Sequence, residues 1–165
     1  MTLNLLQQEK LTKKQRRISR QQKRTGNSIN PNTLVTFKQS FIEVKPKTAA
    51  QDMVFEAYDN GKNVVMHGSA GTGKTFLALY LALDSVVMEQ EFERIVLVRS
   101  IVPTRDIGFM PGGPKEKTKM YESPYMSICS ELFRRGDAYD LLKAKSFLEF
   151  TPTSFIRGNT ISNAI

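Results

Sequence analysis

An α/β fold, with a parallel sheet and flanking helices, is what this 165-residue sequence predicts, and three features predict it. Residues 68–75 read Gly68-Ser69-Ala70-Gly71-Thr72-Gly73-Lys74-Thr75 and fill every fixed position of a G-x-x-x-x-G-K-T phosphate-binding loop. The loop lies between an apolar run, Asn63-Val64-Val65-Met66-His67, and a stretch from Phe76 to Met88 with Leu77, Leu81 and Val87 at helical spacing. A second apolar run, Arg94-Ile95-Val96-Leu97-Val98, follows, so strand, helix and strand succeed one another as in a βαβ unit.

Taken in order, the chain opens on a basic tail. Residues 1–30 hold eight basic groups against Glu9, a net +7, whereas the other 135 residues hold 16 basic and 15 acidic groups, a net +1. Gln and Ser interleave these charges and no aromatic residue accompanies them, so the tail is expected to be disordered and residues 31–165 to form the domain. Gly26-Asn27-Ser28-Ile29-Asn30-Pro31-Asn32 reads as a linker. Residues 34–44 alternate as a strand or extended segment. Thr48 is placed to cap a helix through Ala49, Met53, Val54 and Ala57, and Asn60-Gly61-Lys62 turns the chain. Residues 63–67 are expected as a buried strand, with His67 packing at its end. Residues 100–124 carry four prolines and three glycines and are expected to be a long functional loop rather than a helix. Two helical segments, 127–135 and 137–145, break near Gly136; residues 147–150 read as a strand and 154–158 as a turn. Ile161-Ser162-Asn163-Ala164-Ile165 has the look of an opening third core strand.

Composition narrows the classes. No apolar run approaches the roughly 18 residues of a membrane span, and no signal-peptide core is present, so a cytoplasmic location is expected. The single Cys129 rules out an internal disulfide framework and reads as a small buried hydrophobe.

The chemistry gathers at residues 68–75. Glycines let backbone N–H groups curl around phosphate oxygens, and the helix N-terminus adds unpaired donors and partial positive charge. Backbone donors of Gly68, Ser69, Ala70, Gly71, Thr72 and Gly73 would cradle the phosphates. Lys74 would reach the β/γ-phosphates and Thr75 would hold Mg²⁺. Turnover also needs an acidic residue after an apolar strand. Asp106, Glu116, Glu122, Glu131, Asp137, Asp140 and Glu149 are the acids beyond residue 99, and none follows a four-residue apolar strand. No catalytic residue is therefore assigned, and the sheet is expected to be truncated before that acidic (Walker B) strand.

The sequence resembles the PhoH-like ATPases, the phage-borne branch above all, over residues 35–165. The loop at 68–75 carries the likeness, with Val98-Arg99 and the run from Ile101-Val102-Pro103-Thr104-Arg105-Asp106 through Ile107-Gly108-Phe109-Met110-Pro111-Gly112. Glu116-Lys117, Tyr121-Glu122, Pro124-Tyr125, Arg135-Gly136-Asp137-Ala138-Tyr139 and Ser154-Phe155-Ile156-Arg157-Gly158 extend it. Ser100 departs from the family, which carries Pro there. The resemblance implies a P-loop NTPase that binds ATP with Mg²⁺, similar to the nucleotide-binding half of superfamily 1 helicases. It further implies that Gln51 reads the adenine edge through its amide. By the same likeness Arg99, with Arg105 in the loop that follows, would meet single-stranded RNA or DNA. Lys13, Lys14, Arg16 and Arg17 of the tail are candidates for the same partner by charge alone. Oligomer formation is left open.

Three readings remain open at this point. The first is ATP binding, with hydrolysis in the complete form. The second is a non-catalytic fragment of an interrupted gene that binds nucleotide or nucleic acid. The third, a small-molecule kinase, lacks its Arg-bearing lid. The chain alone is expected to be marginally stable and to hydrolyse ATP slowly or not at all, because a truncated sheet exposes strand edges.

Overall fold

The computed structural model describes residues 37–100 and 114–165, with side chains of the helix that opens the second stretch described from residue 119. The described chain falls into two units, one holding Pro46–Met66 and the other reaching to Lys45 and resuming at His67–Ile165.

The smaller unit is organised by α1, Ala49–Asp59. Its N-cap is the expected Thr48, in extended conformation, whose Oγ1 accepts from the backbone N–H of Gln51 at 3.3 Å. That contact satisfies one of the amides a helix leaves orphaned at its start. The other end closes at Asn60-Gly61-Lys62. Gly61, at φ +72, donates to Tyr58 O at 2.8 Å, and Lys62 N donates to Ala57 O at 3.1 Å. This is the paired-bond ending that glycine makes accessible. Residues 62–67 form no strand. Strand structure requires a hydrogen-bonded neighbour, and none of the described residues pairs with this segment; Val65 is 91% exposed. The expected buried strand is therefore corrected to an unpaired segment, and His67 is exposed rather than packed.

The larger unit begins with residues 37–40 in helical conformation, where alternation suggested a strand. Phe37 is buried and meets Phe133 edge-on with ring centroids 5.2 Å apart, while Phe41 stacks on Tyr80 at 5.4 Å. These aromatic contacts, and the Ile42 N–H bond to Leu132 O at 2.9 Å, hold the segment against the core in place of a sheet ladder.

Helix α2, Lys74–Leu83, buries six of its ten residues, as a helix apolar on most faces must. It runs on as a wider π-type turn, Asp84–Met88, in which Glu89 N reaches Asp84 O at 2.9 Å. The sheet follows. Strand β1, Ile95–Arg99, pairs in parallel with β2, Leu148–Pro152, in the register Ile95 with Leu148 through Arg99 with Pro152. The opposite edge of β1 receives the last residues: Arg94 bridges Ala164 in parallel, and Val96 N donates to Ile165 O at 2.8 Å. The segment at 161–165 thus meets β1 through one parallel bridge.

Between the strands lies α3, Pro114–Phe133, where a loop was expected as far as residue 124. Pro114 fits because the first helical position has no N–H obligation. Pro124 is accommodated inside the helix, although it offers no N–H to the carbonyl four residues back. The buried positions Glu122, Cys129, Leu132 and Phe133 recur at helical spacing and bind the segment to the core strongly enough to carry it through the proline. Helix α4, Ala138–Ala144, and a short 3₁₀ turn, Thr153–Phe155, complete the unit. No described helix is long and apolar enough to cross a membrane.

Candidate functional site

The loop at residues 68–75 is shaped by its glycines. Gly68, Gly71 and Gly73 take φ values of +139, +77 and +80, which L residues with a Cβ rarely adopt. A Cβ at Gly68 or Gly71 would meet no atom within 4 Å, so conformation rather than space demands glycine there. Gly73 is the N-cap of α2, with no side chain to cap the helix. The first N–H groups of α2 are thereby left without a side-chain acceptor at their own cap, the arrangement that suits an anion.

Lys74 folds back over this loop. Its Nζ donates to Ser69 O and to Thr72 Oγ1 at 3.1 Å, and Thr72 Oγ1 donates to Ser69 O at 3.1 Å. The ammonium is therefore held across the loop by neutral oxygens, which a phosphate oxygen can replace with a stronger, charge-assisted bond. Gly68 to Gly73 and Thr75 are all exposed, and Thr75 stands in the first turn of α2 beside Lys74. Among the described residues no cluster of three or more His, Cys, Asp or Glu could hold a metal.

Gln51 belongs to the other unit, in the first turn of α1, and its Oε1 accepts from Lys47 N at 2.8 Å. Arg99 ends β1 half-buried: its Nη1 donates to Tyr121 O at 3.1 Å and its guanidinium lies 5.7 Å from the Tyr121 ring centre. That carbonyl is one residue beyond the one Pro124 leaves without a helical donor. Arg105, Lys13, Lys14, Arg16 and Arg17 lie outside the described residues. β1 and β2 are followed by Ser100 and Thr153, so neither carries an acidic residue at its carboxyl end.

Sequence reasoning missed a polar cluster built on a buried glutamate. Glu122, only 6% exposed, accepts from Tyr139 Oη at 2.6 Å and from Lys143 Nζ at 2.7 Å, both through Oε2. Burial and the neighbouring Glu122 push the Tyr139 hydroxyl well above the usual phenol range. A glutamate seven residues before buried Cys129, on the same helical stripe, was the available signal. Cys129 itself is fully buried, as expected, and burial pushes its thiol up to about 12.

The family model described as PhoH-like protein matches residues 43–165. The chain belongs to the PhoH-like family. It is similar to the PhoH-like protein of Synechocystis sp., 31% identical over 122 residues that make up 73% of this chain and 37% of that one. Protein PhoH2 of Bacillus subtilis is 32% identical over 124 residues, 72% of this chain and 28% of its own length. Protein PhoH of Escherichia coli is 28% identical over 124 residues, 72% and 34% respectively. The chain thus spans about a third of the length of the curated relatives it matches. PhoH-like membership points to a P-loop nucleotide-binding protein, in keeping with the loop described above.

Proposed function

We propose that this PhoH-like chain binds ATP and Mg²⁺ through residues 68–75, and that the longer family form hydrolyses ATP while engaging single-stranded RNA or DNA in the cytoplasm. The observation that carries the reading is the loop itself: three glycines at positive φ, a helix start without a side-chain cap, and Lys74 folded over Ser69 O and Thr72 Oγ1. Lys74 would exchange those neutral acceptors for β/γ-phosphate oxygens. Loop N–H groups from Gly68 to Gly73 would surround the remaining phosphate charge, and the Thr75 hydroxyl would hold Mg²⁺. Mg²⁺ in nucleotide sites keeps phosphate oxygens and waters among its ligands, which a single Thr75 hydroxyl would complement. Gln51 would read adenine, and Arg99 would present to a nucleic acid whatever donors Tyr121 O leaves unused.

A second reading, nucleotide binding without turnover, is favoured by one observation: neither described strand ends in an acidic residue. The deciding experiment is titration of a fluorescent ATP analogue into wild-type and Lys74→Ala chain, with phosphate release followed alongside. Loss of a charge-assisted bond predicts affinity weakened about tenfold or more. Unchanged affinity would remove Lys74 from the phosphate site. Brisk Lys74-dependent release would set the second reading aside.

A further inference from the structure

The carboxyl end of the parallel pair presents an aromatic side chain to solvent. Arg99 closes β1 directly opposite Pro152, and the chain leaving Pro152 enters the turn Thr153–Phe155. The Phe155 side chain there is 68% exposed. Exposure of a large ring is unfavourable, and the backbone of the turn that carries it is tied by hydrogen bonds. Asn159 Nδ2 donates to Phe155 O at 2.7 Å, Asn159 N donates to Ile156 O at 3.0 Å, and Gly158 reverses the chain at φ +81.

The sequence on either side of the ring is mostly polar and carries no acidic side chain. From residue 150 to residue 165 the only charged side chain is Arg157, which is exposed and has no ion-pair partner among the described residues. Thr153, Ser154, Asn159 and Thr160, all exposed, supply neutral polar groups along the same stretch. A protein helix would need a contiguous apolar patch to dock on, whereas four of the exposed residues between 153 and 160 carry hydroxyl or amide groups. One exposed ring with one exposed cation two residues along the chain, and no acidic side chain in that stretch, matches the needs of one unpaired base and its backbone. Open parallel sheets also place ligands beyond the carboxyl ends of their strands.

We infer that residues 153–157 form a single-stranded nucleic-acid contact, with Phe155 stacking on an unpaired base and Arg157 pairing with an adjacent phosphate. The inference rests on the nucleic-acid part of the function proposed above and gives it a place in the fold. The pinned turn spares the ordering cost that a mobile loop would incur on binding.

Fluorescence anisotropy of a short labelled oligouridine tests it with the full 165-residue chain, alongside an abasic strand of the same length. Phe155→Ala should weaken the base-bearing strand about tenfold and leave the abasic strand unaffected. Phe155→Trp should restore binding, and Arg157→Ala should weaken both strands and lower the salt slope by about one. Equal binding of oligouridine by wild type and Phe155→Ala overturns the inference, as does equal loss on both strands or failure of the wild type to bind. Self-association that Phe155→Ala abolishes would overturn it too, assigning the ring to a second copy of the chain. A parallel ATP-analogue titration separates the two levels. Nucleotide binding without a Phe155 effect removes only this contact, whereas absent nucleotide binding removes the ATP reading.

Discussion

At the scale of single residues, the loop at 68–75 illustrates how backbone conformation, not side-chain chemistry, can dictate residue choice. Gly71 at φ +77 has open space where a Cβ would sit, so Gly71→Ala meets no clash beyond its own backbone. The left-handed region costs an L residue about 1–2 kcal/mol. Gly71→Ala is therefore expected to lower stability by about 1 kcal/mol in urea unfolding and to weaken ATP-analogue binding, because relief of the strain re-aims the loop N–H groups. A variant with unchanged nucleotide affinity would show that the Gly71 conformation is incidental to binding. Lys74 shows the complementary lesson. Its ammonium is held by Ser69 O and Thr72 Oγ1, so the residue lies back over the loop.

At the scale of elements, α3 and α4 are joined by the buried Glu122 and Tyr139 together with the exposed Lys143. A carboxyl group in the buried stripe of a helix is costly unless its oxygens are partnered. Here Oε2 receives both donors at 2.6 and 2.7 Å. Hydrogen bonds to charged groups contribute about 1.5–3 kcal/mol, so Tyr139→Phe should shift the urea midpoint markedly. Arg135 and Asp137 make contacts of similar length, 2.6 and 2.8 Å, but in solvent. Screening erodes such a pair, and Asp137→Asn should leave the midpoint almost unmoved. The same midpoint for both variants would mean that burial does not separate the two clusters.

At the scale of the molecule, the buried groups fix how stability responds to alkali. The Cys129 thiol is held up to about 12 from an ordinary 9.0, and Tyr139 is raised as well. Between those limits an unfolded chain releases the thiol proton while the folded chain keeps it. Stability from this group is therefore whole below pH 9.0 and declines as pH rises toward 12. Urea midpoints should fall from about pH 8 to about pH 10 by more in wild type than in Cys129→Ala. Equal falls would place the alkaline sensitivity elsewhere. The same burial predicts that a thiol reagent labels Cys129 only on unfolding.

Much of this chain was legible in its residues because it depends on neighbours a few positions away. The Thr48 cap, the Gly61 ending, α2, α4 and the turn after β2 all rest on local bonds or on spacing within one element, and β1 is legible from its apolar run although its ladder is not. The glycine loop is legible for the same reason, since φ at Gly68, Gly71 and Gly73 is a local property. What the tertiary structure alone decided is which segments find partners. Residues 63–67 are apolar enough for a strand but have no described neighbour to complete a ladder. Residues 114–124 look like a loop but are helical, because Glu122 meets Tyr139 and Lys143 and the stripe through Cys129 is buried. Arg99 reaches Tyr121, 22 residues away, and Phe155 is left without a cover. A hydrogen-bond ladder, a buried carboxyl group and an exposed ring each depend on groups distant in sequence, and only the folded chain brings those groups together or leaves them apart.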